Sequence, residues 1–266
     1  MLYVILFSLF FLGLIVGSFL NVVVYRLEDK KRKNIRGRSF CPHCREKIKA
    51  YDLVPVLSWI ILKGKCRSCK KEISVQYPLV ELATGLVFAV LGYIFLQGLT
   101  FSIASLVNLV FWFFFTGCVI TVFVYDLKHQ IIPDEIIYTA LVVALVFVGL
   151  NTGLTDNFEY LTEHLLAGFL AGGFFYSLAA VSKGKWMGGG DIKLVAFMGL
   201  VLGWKGAIIA LYTAFILGAL IGSFFLLTGR KKMGSKIPFG PFLVIGTFIG
   251  LLFGEQIVNF YVSMFM

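Results

Sequence analysis

The chain has 266 residues, 59% of them hydrophobic and only 14% charged, with a mean hydropathy of +0.91. Soluble domains are about 45–50% apolar and about a quarter charged, so one water-facing core cannot hide this excess, and disorder, which requires low hydrophobicity, is excluded as well. The formal net charge of +10 would suit a nucleic-acid binder, but its distribution along the chain points to membrane topology, and no nucleic-acid partner is expected.

Apolar runs near the ~20 residues needed to cross a bilayer occur at 2–25, 78–97, 103–125, 134–151, 162–181, 205–228 and 239–262. The first lacks a basic leading segment and is too long for a signal-peptide core, so it is read as a retained helix. A shorter stretch at 191–204, opened by Asp191 and broken by Gly199 and Gly203, is counted as a further crossing. With the segment 26–77 in the cytoplasm, eight crossings place 23 of the 24 Lys and Arg residues on the inner side, leaving only Lys205 outside. This asymmetry is the one the positive-inside rule demands, and seven crossings would blur it. The expected fold is an all-α polytopic membrane protein of about eight transmembrane helices with both termini outside and a small cytoplasmic insertion, whose cysteines, described below, mark it as zinc-binding. Its parts are a first helix at 1–25, a basic loop at 26–77 able to meet anionic lipid, and a membrane-embedded core at 78–266.

Small residues recur every four positions at Gly13/Gly17, Gly168/Gly172, Gly218/Gly222 and Gly246/Gly250/Gly254. Such spacing lets helices approach closely in lipid, and packing is the reading adopted here.

Four of the five cysteines form two pairs in the basic loop, Cys41-Pro-His-Cys44 and Cys66-Arg-Ser-Cys69, separated by 21 residues. Two such knuckles supply four soft ligands to a tetrahedral Zn²⁺ or a similar soft metal. Binding would provide the folding energy that so short a loop lacks. A reducing cytoplasm disfavours two disulfides. Four thiolates leave no open coordination position, which indicates a structural role, and His43 is not needed as a ligand. Cys118, alone within a crossing, is read as a packing residue.

Ionisable groups inside membrane spans are expensive and invite a functional reading. Asp126 ends the third crossing, and Asp191 opens the sixth after Gly188-Gly189-Gly190. The topology brings both to the inner face. Taken singly, Asp191 could cap a helix and Asp126 could pair with Lys128 or Lys193. Taken together, beside glycines that permit close backbone approach, they suit a catalytic dyad sharing one proton, one carboxyl activating water and the other polarising a peptide carbonyl. Such a pair titrates as a unit, so neither is named base or acid. Asp134 and Glu135, after Pro133, sit where helix-capping acids belong. Glu81, one turn into the second crossing, is divided between function and helix packing. His129 is read as interfacial, and His164 as surface.

These segments together resemble the type IV prepilin peptidases, bifunctional leader peptidase/N-methyltransferases of pilus, secretion and competence systems. The resemblance rests on Gly17-Ser18-Phe19-Leu20-Asn21 with Tyr25-Arg26, the paired cysteine knuckles, and Pro55-Val56-Leu57-Ser58-Trp59. It continues through Gln76-Tyr77-Pro78-Leu79-Val80-Glu81, Asp126 with Ile131-Ile132-Pro133-Asp134, and Gly188-Gly189-Gly190-Asp191-Ile192-Lys193. It covers nearly the whole chain. It implies an inner-membrane enzyme that removes the basic leader of type IV prepilins or pseudopilins at the cytoplasmic face and then methylates the new N-terminal residue from S-adenosylmethionine. It assigns catalysis to Asp126 and Asp191 and associates methylation with the region bearing Cys41, Cys44, Cys66 and Cys69. No dinucleotide-type Gly-rich fingerprint is present. Glu81 and the 17–21 segment are the candidates for the methyl-donor site. A peptidase without methylation and an ion or proton transporter using the two aspartates are the alternatives.

Overall fold

The computed structural model describes residues 2–28, 39–96, 103–230 and 237–265. Lys30, Lys31, Arg32, Lys33, Arg36 and Arg38 of the basic loop lie outside the described residues, as do Gln97, Lys231, Lys232 and Lys236. The described residues are helical apart from the cysteine loop and short connections. Two compact units divide the chain at Met1–Thr121 and Val122–Met266.

The first unit holds α1 (Leu2–Glu28), a 3₁₀ turn (Ala50–Leu53), the short α2 (Leu57–Ile61), α3 (Gln76–Leu96) and most of α4 (Ile103–His129). Helix α1 packs antiparallel on α3. A Cβ built on Gly13 would lie 2.7 Å from the Gly85 Cα, and one on Gly17 would lie 2.7 Å from the Glu81 Cα. The four-residue glycine spacing is therefore a backbone-to-backbone seam. Helix α4 adds aromatic stacking, with Phe113 4.1 Å from Phe88 and Trp112 5.6 Å from Phe95 between ring centroids. In lipid every polar group needs an internal partner. The buried hydroxyls of Thr84, Thr116 and Thr121 find one on the carbonyl four residues back, at 2.7, 2.8 and 2.7 Å.

The second unit holds the end of α4, α5 (Asp134–Thr155), α6 (Phe158–Val181), α7 (Gly189–Leu227) and α8 (Gly240–Phe265). Seven described helices are long and apolar enough to cross a membrane, against eight expected crossings, and the difference lies in α7. Its 39 residues, if straight, would span ~58 Å, nearly twice a ~30 Å hydrocarbon core. Gly203 interrupts it at φ 66°, ψ −179°. On the first arm, the Leu200 carbonyl meets the His164 ring of α6 at 2.8 Å. On the second arm, the Phe215 ring lies 6.0 Å from that of Phe175, about three helical turns from His164. A straight α7 would carry Phe215 away from Phe175 on the far side of His164. The chain therefore reverses at Gly203, and α7 is a hairpin whose two helical arms lie close to the expected crossings 191–204 and 205–228.

The first arm runs antiparallel to α6, where Gly168 and Gly172 admit Ala196 and Leu200. The second runs antiparallel to α8, with Gly250 and Gly254 against Gly206 and Gly218 against Phe242. Two expectations are corrected. The expected outer loop 152–161 is largely helix, because Asp156 takes the left-handed conformation at φ 50° and the Asn157 side chain accepts the Tyr160 N–H at 3.2 Å. That earlier start of α6 turns His164 inward. It is 8% exposed, bonded to Leu200 and packed on the Tyr160 ring, not a surface residue.

Candidate functional site

The cysteine loop folds as one local structure used twice. Around the first pair, the Cys41 N–H reaches the Glu46 carbonyl at 2.9 Å and the Arg45 N–H the Cys41 carbonyl at 2.9 Å. Around the second, the Cys66 N–H reaches the Lys71 carbonyl at 2.8 Å and the Lys70 N–H the Cys66 carbonyl at 3.0 Å. Arg45 and Lys70 both sit at φ 59°, and matching bridges join Phe40 to Lys47 and Lys65 to Glu72. Each knuckle thus turns its two sulfurs to one side. The Sγ atoms of Cys41, Cys44, Cys66 and Cys69 all lie within 4.8 Å of one another, with Cys41 and Cys69 3.9 Å apart.

A tetrahedron with metal–sulfur bonds near 2.3 Å has edges of about 3.8 Å, so the four residues fit a Cys₄ zinc site in spacing and in chemistry. Burial pushes the Cys41 thiol up, but the backbone N–H groups of Cys44 and His43 and the neighbouring Cys66 and Cys44 thiols outweigh it and bring it down to about 7. This is the direction a thiolate ligand needs. The neighbouring Cys44 moves the other way, since the backbone bond to Glu46, which lowers it, is outweighed by desolvation and by the Cys41 and Cys69 thiols, which push it up to about 11. Arg67, beside Cys66, grips Asp52 through Nε and Nη2 at 2.9 and 2.7 Å, which holds the Asp52 carboxyl below its usual range. The Trp59 Nε1–H donates to the Ile73 carbonyl at 3.1 Å and its ring covers Gly64. Together these contacts bind the second knuckle to α2 and the 3₁₀ turn.

Glu81 joins this insertion to the helices. Its side chain is buried, and Oε2 accepts the Val56 N–H at 2.7 Å. Ser18 supplies a second hydrogen bond. Val56 stands at φ 61°, uncommon for a β-branched residue, so the carboxylate holds a strained corner at the start of α2. Asn21, 2% exposed, donates to the Tyr77 carbonyl at 3.1 Å and also contacts the Gly17 carbonyl at 3.3 Å. Three sequence segments, 17–21, 55–59 and 76–81, therefore meet at one place.

In the second unit, Asp126 lies near the end of α4 and Asp191 in the first turn of α7, and the Asp126 carboxylate acts electrostatically on Asp191. Asp126 is 4% exposed. The segments bearing them touch directly: a Cβ on Gly190 would fall 2.9 Å from that of Ile132, in the α4–α5 connection. Asp191 Oδ2 accepts the Gly188 N–H at 3.2 Å, so Asp191 does cap the start of α7 as its position taken singly suggests. Lys193 does not neutralise Asp126. Its Nζ pairs with Asp134 at 2.6 Å and lies 4.5 Å from the Tyr138 ring centre. Asp134 opens α5 without a side-chain cap, so it serves as an ion-pair partner.

Asp126 has a partner that sequence reasoning missed. The Gly240 N–H donates to its Oδ2 at 3.0 Å, within the protein interior. The available signal was Pro238-Phe239-Gly240-Pro241 at the head of an apolar span, since proline and glycine there specify a helix start and a close approach.

Fold and site define a multi-pass α-helical membrane protein with two aspartates converging from separate helix ends and a four-cysteine insertion. Residues 11–95 match the Bacterial Peptidase A24 N-terminal domain and residues 112–223 the Type IV leader peptidase family. Among curated relatives, proteins named prepilin leader peptidase/N-methyltransferase from Stutzerimonas stutzeri, Legionella pneumophila and Bacillus subtilis are 33%, 33% and 35% identical. The alignments cover 95%, 96% and 96% of this chain and 92%, 93% and 97% of those proteins. No solved structure matches it. The chain belongs to the type IV leader peptidase family.

Proposed function

We propose that this protein is an inner-membrane aspartyl endopeptidase that removes the leader of type IV prepilins or pseudopilins at the cytoplasmic face and N-methylates the residue so exposed. The observation that carries the peptidase reading is that the segments bearing Asp126 and Asp191 are neighbours, with Gly190 against Ile132 and an electrostatic interaction between the two carboxyls. The two carboxyls act as a pair, one accepting a proton from the attacking water while the other donates to the scissile carbonyl. With eight crossings and the cysteine loop inside, both chain termini lie outside. Nucleic acid has no part in this reading.

Residues 1–25 form the first membrane helix, 78–266 the peptidase core, and 26–77 the region assigned to methyl transfer. Cys41, Cys44, Cys66 and Cys69 would hold zinc, which supplies cross-linking of the two knuckles and no reactive position. S-adenosylmethionine supplies the methyl group when bound. Glu81 is the candidate residue for that site; its carboxylate fits the donor's positive charge, and it sets the position of Val56 and α2.

Mass spectrometry of a pilin-like substrate co-expressed with the protein tests both activities. The expected product has lost its leader and gained one methyl, and both changes vanish when either aspartate is replaced by alanine. A cut but unmethylated product would leave a leader peptidase alone, and an uncut substrate across several pilin types would remove the enzyme reading.

A further inference from the structure

We propose that Gly240 is a positioning residue for the peptidase reaction, holding the Asp126 carboxylate through its backbone N–H and through the absence of a side chain. This inference rests on the reading of Asp126 as one of the two catalytic carboxyls.

The backbone accounting at the head of α8 isolates this one donor. A helix start leaves four N–H groups without intrahelical partners. Pro241 has none to offer, and the Phe242 and Leu243 N–H groups turn back to the Phe239 carbonyl at 3.0 and 3.2 Å. The Gly240 N–H is left to point outward, and it is the one that meets Asp126 Oδ2 at 3.0 Å. It stands at the positive end of a 26-residue helix, where an anionic oxygen is favoured. Space is as restrictive as charge. A Cβ at position 240 would lie 2.6 Å from Oδ2 and 3.1 Å from Cγ of Asp126, so any other residue displaces the carboxylate or the helix.

Helix α8 is also the element best placed to fix this carboxylate relative to its partner. It packs along the second arm of α7 through the Gly246, Gly250 and Gly254 face. Its leading Phe239 ring lies 5.3 Å from Phe215 on that arm. The first arm of the same hairpin carries Asp191. One continuous piece of structure, α7 with α8, therefore sets Asp191 directly and Asp126 through Gly240.

The test uses the purified full-length protein, a prepilin-like substrate, and Gly240→Ala, Asp126→Ala and the double variant. Misplacing a reacting group by about 1 Å costs on the order of 10²-fold in rate. Gly240→Ala is expected to lose about 100-fold in kcat with KM within threefold of wild type. In thermal unfolding, its destabilisation should be relieved in the Asp126→Ala background, where no carboxylate opposes the new methyl group. A wild-type kcat, a loss confined to KM, or equal destabilisation in both backgrounds would overturn the proposal. If Gly240→Ala does not fold, recovery of a folded protein in the double variant supports it and failure to recover refutes it. Full cleavage by Asp126→Ala alone would instead remove the catalytic reading of Asp126, leaving the unfolding comparison to judge the contact.

Discussion

Replacing Gly203 with alanine probes the feature on which the count of crossings depends. The residue stands at φ 66°, ψ −179°, a region open to glycine and closed in practice to residues with a side chain, at a cost of order 1–3 kcal/mol. A Cβ there would also approach Glu163 Oε1 at 3.1 Å and His164 Nε2 at 3.4 Å, so a cost of about 2 kcal/mol is expected from the backbone with a further contribution from crowding. Thermal unfolding in detergent should show a midpoint lowered by several degrees, since 1 kcal/mol is worth about 2–4 °C in a chain of this size. Cleavage should fall with it, because the turn sets how the arm bearing Asp191 lies against the arm that packs on α8. The companion measurement is topological. Single cysteines placed by Lys185→Cys and Arg230→Cys, in a protein otherwise free of cysteine, should be labelled from one side of the membrane and Lys205→Cys from the other. Labelling of positions 185 and 230 from opposite sides, or an unchanged midpoint for Gly203→Ala, would refute the hairpin.

Asp126→Ala and Asp191→Ala should each lower cleavage by on the order of 10³-fold or more while a pre-cut pilin is still methylated; this is read by mass spectrometry, and residual cleavage near wild type in either would sink the dyad. Stripping metal with a strong chelator, or Cys66→Ser, should abolish methylation before cleavage and release close to one zinc per chain. Acid acts in the same direction: the four cysteines bind as thiolates and protons compete for them, so apparent zinc affinity falls as pH drops. Titration with a metallochromic dye between pH 5 and 8 checks the sign, and a rise in affinity toward pH 5 would contradict it. Glu81→Gln keeps the shape but weakens the hydrogen bond to Val56; methylation should fall at least about tenfold, charge-assisted bonds being about twice as strong as neutral ones, with cleavage unaffected.

Much of this protein was legible without coordinates, because its strongest constraints are one-dimensional. A bilayer reads length and polarity along the chain, so Leu2–Glu28, Asp134–Thr155 and the other spans follow from apolar runs. The two knuckles are short-range objects whose ligands are set by a three-residue spacing. The glycine repeats marked packing seams, although not their partners. The sequence could not show that Gly85 faces Gly13 or that Gly206 faces Gly250, because helix pairing depends on surfaces distant in the chain.

Tertiary structure decided what required distant residues to meet. His164 reads as a polar residue near a span end, yet the Gly203 turn buries it against Leu200. Lys193 lies two positions from Asp191 but pairs with Asp134, which removes it as a counter-ion for Asp126. Gly240, 114 residues from Asp126, carries no functional group, so a search of side-chain chemistry passes over it. Its contribution is a backbone N–H and an empty volume, and both acquire meaning only when α8 is packed on the α7 hairpin. The sequence by itself determined which carboxylates and thiols are present and on which segments they ride. Only the folded chain determined what holds each one in place, since orientation is set by packing and by backbone donors that every residue shares.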